Sequence, residues 1–279
     1  MPYSAEISRR SPTAFVLLID QSGSMGEAFG LDGTKPKAAF VADVVNKWID
    51  NLVLRCARGL EVRDYFEVAV LGYAGGVRSA LPSVGDGIRP ISELAAAPLR
   101  IEDRKRKTDD GAGGVIEAAV KFRVWVDAQA EADTPMCAAL AKARAMLATW
   151  IDEHPDAYPP TVLNITDGGA TDGDPRDAAE SLRQLATSDG EVLLLNCHIS
   201  GFGGIPTLYP STVGDLPDDL AQTLFDMSSQ LPERVLEGVR GAGYPVDEDA
   251  RGFAYQADAA ALIKFIEIGT RASEIVVRE

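Results

Sequence analysis

The chain has 279 residues, of which 46% are hydrophobic, as expected for a globular protein with a full core. Its formal net charge of -15 argues against nucleic acid as a partner, because phosphate binding needs a basic surface, and it equally disfavours anionic membranes. No apolar run approaches the roughly 20 residues that span a bilayer, which argues against a transmembrane helix.

The N-terminal segment resembles a secretion signal only briefly. Arg9 and Arg10 precede an apolar stretch, but Asp20 ends that stretch and no small-residue cleavage site follows. We interpret the stretch as a buried first strand and predict a cytoplasmic protein with no membrane partner. The three cysteines lack metal-ligand spacing and are predicted to be reduced thiols.

Continuous apolar runs predict strands that are buried on both faces, as in a parallel sheet. These runs cover residues 14–19, 66–73, 161–166 and 191–199, with a shorter one at 252–255. Amphipathic patterns predict helices between them at 35–54, 135–151, 177–185 and 257–268. This alternation indicates an α/β fold, a doubly wound and mostly parallel sheet flanked by helices.

Two long stretches interrupt the alternation. Residues 99–104 are predicted to pair with residues 115–128 as a β-hairpin insertion, which carries the basic run RKRK at 104–107. That run fits either solvated edge residues that discourage aggregation or a docking site for an acidic partner. Residues 201–251 are predicted to be loop and helix decoration, with short helices at 218–230 and 232–239.

The sequence predicts one domain over residues 13–270, with the insertion at about 77–130 and the decoration at about 201–251. Residues 1–12 are then an N-terminal extension, and residues 271–279 are a C-terminal tail.

The segment after the first predicted strand carries candidate metal ligands. It reads IDQSGSMG, which places Asp20, Ser22 and Ser24 at alternate positions in a glycine-containing turn. Carboxylate and hydroxyl oxygens suit Mg²⁺, Mn²⁺ or Ca²⁺ and do not suit zinc. In open parallel sheets, ligands bind beyond the carboxyl ends of the strands, which is where this segment is expected to lie.

Two further segments could complete an oxygen shell. Asp167 follows the strand at 161–166, and Thr134 precedes the helix at 135–151. Each of these residues taken alone could equally be a turn residue or a helix cap. Asp172 and Asp174 could form a second cation site, or they could belong to a solvated loop that caps the helix at Pro175.

In combination, these segments resemble the von Willebrand factor type A (VWA) domain family with its metal-ion-dependent adhesion site. The family pattern is D-x-S-x-S after the first strand, a threonine before a later helix and T-D-G after the fourth strand. The matching residues are Asp20, Ser22, Ser24, Thr134 and Asp167. Among family members, the chain is most similar to bacterial intracellular proteins associated with tellurite resistance or MoxR-type ATPases.

The resemblance implies a binding module and not an enzyme. The family's site holds one divalent ion, Mg²⁺ or else Mn²⁺ or Ca²⁺, and a partner protein's Asp or Glu completes the shell. It further implies a scaffold or regulatory subunit of a bacterial multiprotein system, such as one built on an AAA+ ATPase.

Two alternatives stay open. A metal-dependent phosphatase or hydrolase could use Asp20, although such enzymes place a second acid where Ser22 stands. Two histidines and no lysine near the motifs leave no evident acid–base pair for that chemistry. Alternatively, the metal could be mainly structural, within a scaffold.

Overall fold

The computed structural model describes residues 3–29, 33, 35–109, 115–199, 206–214 and 216–270. The main strands, in chain order, are β1 (Thr13–Asp20), β2 (Phe66–Tyr73), β3 (Val77–Ser79), β4 (Arg100–Asp109), β5 (Val115–Val124), β6 (Thr161–Thr166), β7 (Leu193–Ile199), β8 (Thr207–Leu208) and β9 (Phe253–Ala257). The helices are α1 (Lys37–Cys56), α2 (Ile91–Ala96), α3 (Met136–Glu153), α4 (Arg176–Arg183), α5 (Asp219–Met227), α6 (Glu233–Gly241) and α7 (Ala259–Gly269).

The central sheet has the strand order β8-β9-β7-β6-β1-β2-β3. Strands β2, β1, β6, β7 and β9 are parallel, while β3 and β8 run antiparallel at the two edges. The chain winds outward from β1 to β3 and then returns to β6 on the other side of β1. The strand order therefore reverses between β1 and β6, where a doubly wound sheet places its ligand crevice.

Both faces of β1 are buried, and this explains why its sequence is apolar throughout. Phe15, Leu17 and Ile19 pack into the core shared with α1 and α7. The alternate residues Val16 and Leu18 pack into the opposite core, shared with α3, α4 and α5. The predicted doubly wound α/β fold is confirmed, and the sheet holds the end of β1 rigidly between two helical layers.

The predicted hairpin insertion is also confirmed, because β4 and β5 form an antiparallel pair with Arg104 opposite Val120. The hairpin lies against α1 through an ion pair between Arg104 and Asp43 at 2.9 Å. The Arg104 guanidinium also covers the Phe122 ring, 3.6 Å from its centroid. The first residue of the basic run is therefore half-buried in packing and not purely solvated, whereas the side chains at 106 and 107 lie outside the described residues.

Two helices begin slightly later than predicted, and the residues just before them explain why. Pro36 has an extended backbone (φ -62°, ψ 148°), so α1 begins at Lys37 and not at residue 35. Asp258 accepts a hydrogen bond from the Ala261 amide and caps α7, which begins at Ala259 and not at residue 257.

The described residues also bear on the remaining expectations. Helices α5 and α6 occupy the two stretches where short helices were predicted in the decoration. Residues 201–205 of that decoration and the tail at 271–279 lie outside the described residues. All three cysteines are free thiols. Within the described ranges, no helix has both the length and the hydropathy that a membrane span requires.

Candidate metal site

The candidate ligands lie at one edge of the sheet because their strands are adjacent and parallel. In the register of β1 and β6, Ile19 lies opposite Ile165, so the residues that follow each strand emerge side by side. Asp20 ends β1, and Asp167 directly follows β6. The structure therefore brings the two aspartates together at the point where the strand order reverses.

Asp20 is fully buried, and both of its carboxylate oxygens accept hydrogen bonds. Oδ1 accepts from the Ser22 backbone N–H at 2.8 Å, and Oδ2 accepts from the Thr166 hydroxyl at 2.6 Å. Burial raises the pKa of Asp20, and the charge of Asp167 raises it further, against the lowering effect of those hydrogen bonds. Among the described residues, no Lys or Arg forms an ion pair with Asp20, so neutral donors alone hold its charge.

Three more of the predicted ligands form a continuous row of oxygens. The Ser22 and Ser24 hydroxyls are 3.1 Å apart, and the Ser24 hydroxyl donates to Asp167 Oδ1 at 2.7 Å. Ser24 is exposed, whereas Ser22 is buried and the Asp167 side chain is 1% exposed. The row is therefore exposed at its middle residue, Ser24, and buried on either side of it.

These spacings fit a small divalent cation. Around an ion with metal–oxygen bonds of about 2.1 Å, adjacent oxygens of an octahedral shell lie about 3 Å apart. The two oxygen–oxygen distances in the row, 3.1 and 2.7 Å, are close to that value. No cluster of three His, Cys, Asp or Glu side chains occurs among the residues that the structure describes, so any cation here depends on the hydroxyls.

Thr134 lies on an adjoining loop that two backbone contacts hold against the D-x-S-x-S turn. The Gly23 amide donates to Ala132 O at 3.1 Å, and the Glu131 amide donates to Gln21 O at 2.7 Å. On its other side, Thr134 O accepts from the Thr171 amide at 2.9 Å, which connects it to the Asp167 loop. Within the described part of the chain its own hydroxyl makes no hydrogen bond, so the structure places Thr134 between the two loops without a side-chain contact to either aspartate.

Lys37 lies in the site although it was not predicted there, and the expectation that no lysine lies near the motifs is wrong. The Lys37 ammonium donates to Asp167 Oδ2 at 2.9 Å and to Glu27 Oε2 at 2.8 Å. Burial tends to lower the pKa of Lys37, but the hydrogen bonds to Glu27 and Asp167 outweigh it and raise that pKa. One signal was present in the sequence, because a lysine at the first position of a helix faces the positive end of the helix dipole.

Behind the site, a row of buried polar side chains crosses the centre of the sheet. The Tyr73 hydroxyl donates to Asn164 Oδ1 at 2.8 Å, and the Asn164 amide donates to Asn196 Oδ1 at 3.0 Å. Asn196 continues the row to the Ser228 hydroxyl at 3.0 Å. Asparagines in otherwise apolar strands were the sequence signal for this row, since a buried amide needs partners.

The second acidic cluster caps helices. Asp172 accepts from the backbone amides of Cys137 at 3.0 Å and Ala138 at 2.9 Å, at the start of α3. Asp174 accepts from the Arg176 amide at 3.1 Å, at the start of α4. The capping interpretation therefore accounts for both carboxylates, although Asp172 caps a different helix from the one that was predicted.

His198 lies on the strand next to β6, opposite Thr166. Its Nδ1 accepts a hydrogen bond from the Gln256 amide at 3.3 Å. It also stacks on the Tyr255 ring, with 4.4 Å between centroids. Burial lowers the pKa of His198, which favours a neutral ring with a fixed orientation.

One solved structure matches the fold of this chain over most of its length. No family model matches the chain, and no curated protein matches its sequence. The pilus adhesin SpaC from Lactobacillus rhamnosus GG matches in structure with a TM-score of 0.50 at 12% identity, over 95% of this chain and 30% of SpaC. At this identity the match shows the fold alone, a doubly wound α/β sheet flanked by helices.

Two further solved structures match this chain with lower TM-scores. The vWF domain of the type V pili tip protein Mfa5 from Porphyromonas gingivalis has a TM-score of 0.48 at 13% identity, over 96% of this chain and 98% of that domain. Proximal thread matrix protein 1 from the mussel byssus has a TM-score of 0.45 at 13% identity, over 95% of this chain and 47% of that protein. This chain therefore spans less than half of SpaC and of the mussel protein.

Proposed function

We propose that this chain is a protein-binding module whose binding depends on a divalent metal ion held by Asp20, Ser22, Ser24, Thr134 and Asp167. A partner's Asp or Glu side chain completes the shell of Mg²⁺, or of Mn²⁺ or Ca²⁺ in its place. The module acts in the bacterial cytoplasm as a scaffold or regulatory subunit of a multiprotein system, such as an AAA+ ATPase system.

The observation that carries this proposal is the row of oxygens from Ser22 through Ser24 to Asp167. Asp167 is far in sequence from Ser22 and Ser24, yet its carboxylate lies in hydrogen-bond contact with Ser24, which contacts Ser22 in turn. The oxygen–oxygen distances of these hydrogen bonds are also compatible with adjacent ligands of a small cation. Ser24, the middle member of the row, is an exposed residue, and we propose that an incoming ligand reaches the ion beside it. Because the site offers few carboxylates and several hydroxyls, a bound ion stays electrophilic. This favours the addition of a partner's carboxylate.

The surface around the row explains why binding would need the metal. Exposed loops at 23–24, 26–28, 131–133 and 171–174 surround it and carry the acidic residues Glu27, Glu131, Asp133, Asp172 and Asp174. Without a cation, this acidic rim repels a partner carboxylate. With a divalent cation at its centre, the same rim instead favours a partner that carries basic residues beside its Asp or Glu.

Replacing Asp20 tests the proposal. We expect D20A to lose Mn²⁺ and Mg²⁺ binding in calorimetric titration and to lose chelator-sensitive partners in a pull-down from the native host. D177A is the matched control, because Asp177 is an exposed carboxylate in the first turn of α4, away from the row. If D20A binds metal and partners with wild-type affinity, the site assignment is wrong.

The hydrolase alternative has weaker support. Asp20 is fully buried with both oxygens engaged, which hinders attack on a substrate. Lys37 adds a cation near Asp167, but its raised pKa keeps it protonated and unsuited to act as a base. Turnover of 4-nitrophenyl phosphate with Mg²⁺ that is lost in D20A would establish the enzyme instead.

Thermal melting separates recognition from a structural metal. A small loss of melting temperature in chelator, together with lost partner binding, supports recognition, whereas a large loss supports a structural ion.

A further inference from the structure

Lys37 places a buried positive charge inside the candidate metal site. Its side chain is 7% exposed, and its ammonium lies 2.9 Å from Asp167 Oδ2, 2.8 Å from Glu27 Oε2 and 3.5 Å from Ser24 O. Each of these three oxygens belongs to the turn after β1 or to the loop after β6. The ammonium therefore joins the two loops that carry the candidate ligands.

The position of Lys37 is not explained by helix stability. It is the first residue of α1, where a positive charge opposes the helix dipole. Burying an ammonium also carries a desolvation cost, which the two carboxylates offset. A lysine held in this unfavourable position suggests that its charge serves the loops and not the helix.

The same charge also competes with a metal ion for one ligand. Asp167 has two oxygens, of which Oδ1 accepts from Ser24 and Oδ2 accepts from Lys37. A divalent cation beside Asp167 would lie close to the ammonium, and their repulsion is weakly screened because the lysine side chain is buried. The ammonium thus substitutes for part of the charge that the cation would supply.

We infer that Lys37 is a tethered counter-ion, which holds Asp167 in place without metal and lowers the affinity of the site for a divalent ion. This inference rests on the proposed function. The weakened site retains its ion firmly only when a partner carboxylate adds negative charge, so metal binding and partner binding strengthen each other.

The test compares Mn²⁺ affinity, by calorimetric titration, in the wild type and three variants. K37Q keeps a hydrogen-bonding side chain and removes the charge, and we expect it to bind Mn²⁺ about tenfold more tightly or better. K37R keeps the charge and should bind as the wild type does. K35Q is the matched control, because Lys35 pairs with Asp43 outside the row of oxygens.

A second readout is stability in chelator. We expect K37Q to melt at a lower temperature than the wild type in EDTA and to gain more from added Mn²⁺, because the ion replaces the lost charge. If K37Q is unfolded in EDTA, its refolding by MnCl₂ supports the inference, and failure of Mn²⁺ to refold it overturns the inference.

The outcomes distinguish the two proposals. If the wild type binds Mn²⁺ and K37Q binds it equally or more weakly, the tethered counter-ion is overturned. The proposed metal-dependent function is not overturned by that result. Absence of Mn²⁺ binding in both proteins overturns the proposed metal-dependent function, and the inference fails with it. Binding by K37Q without detectable binding by the wild type supports the counter-ion, because the wild-type site is expected to hold its ion firmly only when a partner carboxylate is present.

Discussion

The two aspartates of the site are close together, yet the protein stabilises their charges in different ways. Asp20 is held by the Ser22 amide and the Thr166 hydroxyl, which are neutral donors. Asp167 is held by the Ser24 hydroxyl and by the ammonium of Lys37. The negative charge of Asp20 is therefore offset by no ion pair among the described residues, while the charge of Asp167 is partly neutralised. This difference indicates that Asp20 attracts a cation. The ion pair between Asp167 and Lys37 instead holds the two loops together when no cation is bound.

The largest effect on stability is expected from Asp167. D167N removes one carboxylate from a buried ammonium and leaves the exposed Glu27 as the remaining carboxylate in contact with Lys37. We expect the free energy of unfolding in chelator to fall by about 2–4 kcal/mol, because breaking a buried ion pair leaves a poorly compensated charge. Urea denaturation with EDTA measures it, with D177N as the exposed control. Wild-type stability in D167N would contradict the cohesive role of the pair.

A smaller loss of stability is expected from a change in the row of buried polar side chains that crosses the sheet behind the site. Y73F removes the hydroxyl that donates to Asn164 at 2.8 Å and leaves a buried amide oxygen without that donor. We expect a loss of about 1–2 kcal/mol in urea denaturation, with Mn²⁺ affinity close to that of the wild type. Y65F is the control, since Tyr65 is a buried tyrosine outside this row. Equal losses in the two variants would show that the row carries no special stability.

Replacing Asp20 is expected to have the smallest effect on the stability of the metal-free protein. Any change should be an increase, whereas the two preceding variants lose stability. Its folded-state pKa is raised, chiefly by burial, above the ordinary value of 3.8. The contribution of Asp20 to stability is thus fully present below pH 3.8 and is lost as the pH rises through the raised pKa. At neutral pH in EDTA, D20N should melt at the same temperature as the wild type or higher.

That difference should shrink as the pH falls toward 3.8, because wild-type Asp20 is then protonated as well. Melting curves across this pH range check the sign. A lower melting temperature for D20N at neutral pH would contradict the description of Asp20 as an uncompensated charge.

Much of the fold could be predicted because strands that are buried on both faces have continuous apolar sequences. Residues 66–73 and 161–166 were predicted as strands, and β2 and β6 have those bounds. The pairing of β4 with β5 was also predictable, because alternating residues flank a turn-rich segment. The helix starts were less certain, since the extended Pro36 and the capping Asp258 decide them locally.

Part of the candidate site could be predicted, and part could not. The order of parallel strands fixes which strand ends meet, so the proximity of Asp20 and Asp167 followed from the motifs and the expected topology. Lys37 was missed because it follows Ser24 by 13 residues, across a loop whose path no local pattern specifies. Thr166 was missed because a threonine at the end of a strand is unremarkable until its neighbour in the sheet is known.

The most direct test of the central claim is anomalous scattering from crystals of the wild-type protein grown with MnCl₂. The account predicts a single manganese peak at the edge of the sheet, within bonding distance of the Ser22 and Ser24 hydroxyls and next to Asp20 and Asp167. A map with no peak at this position, or with a peak only at Asp172 and Asp174, would contradict it.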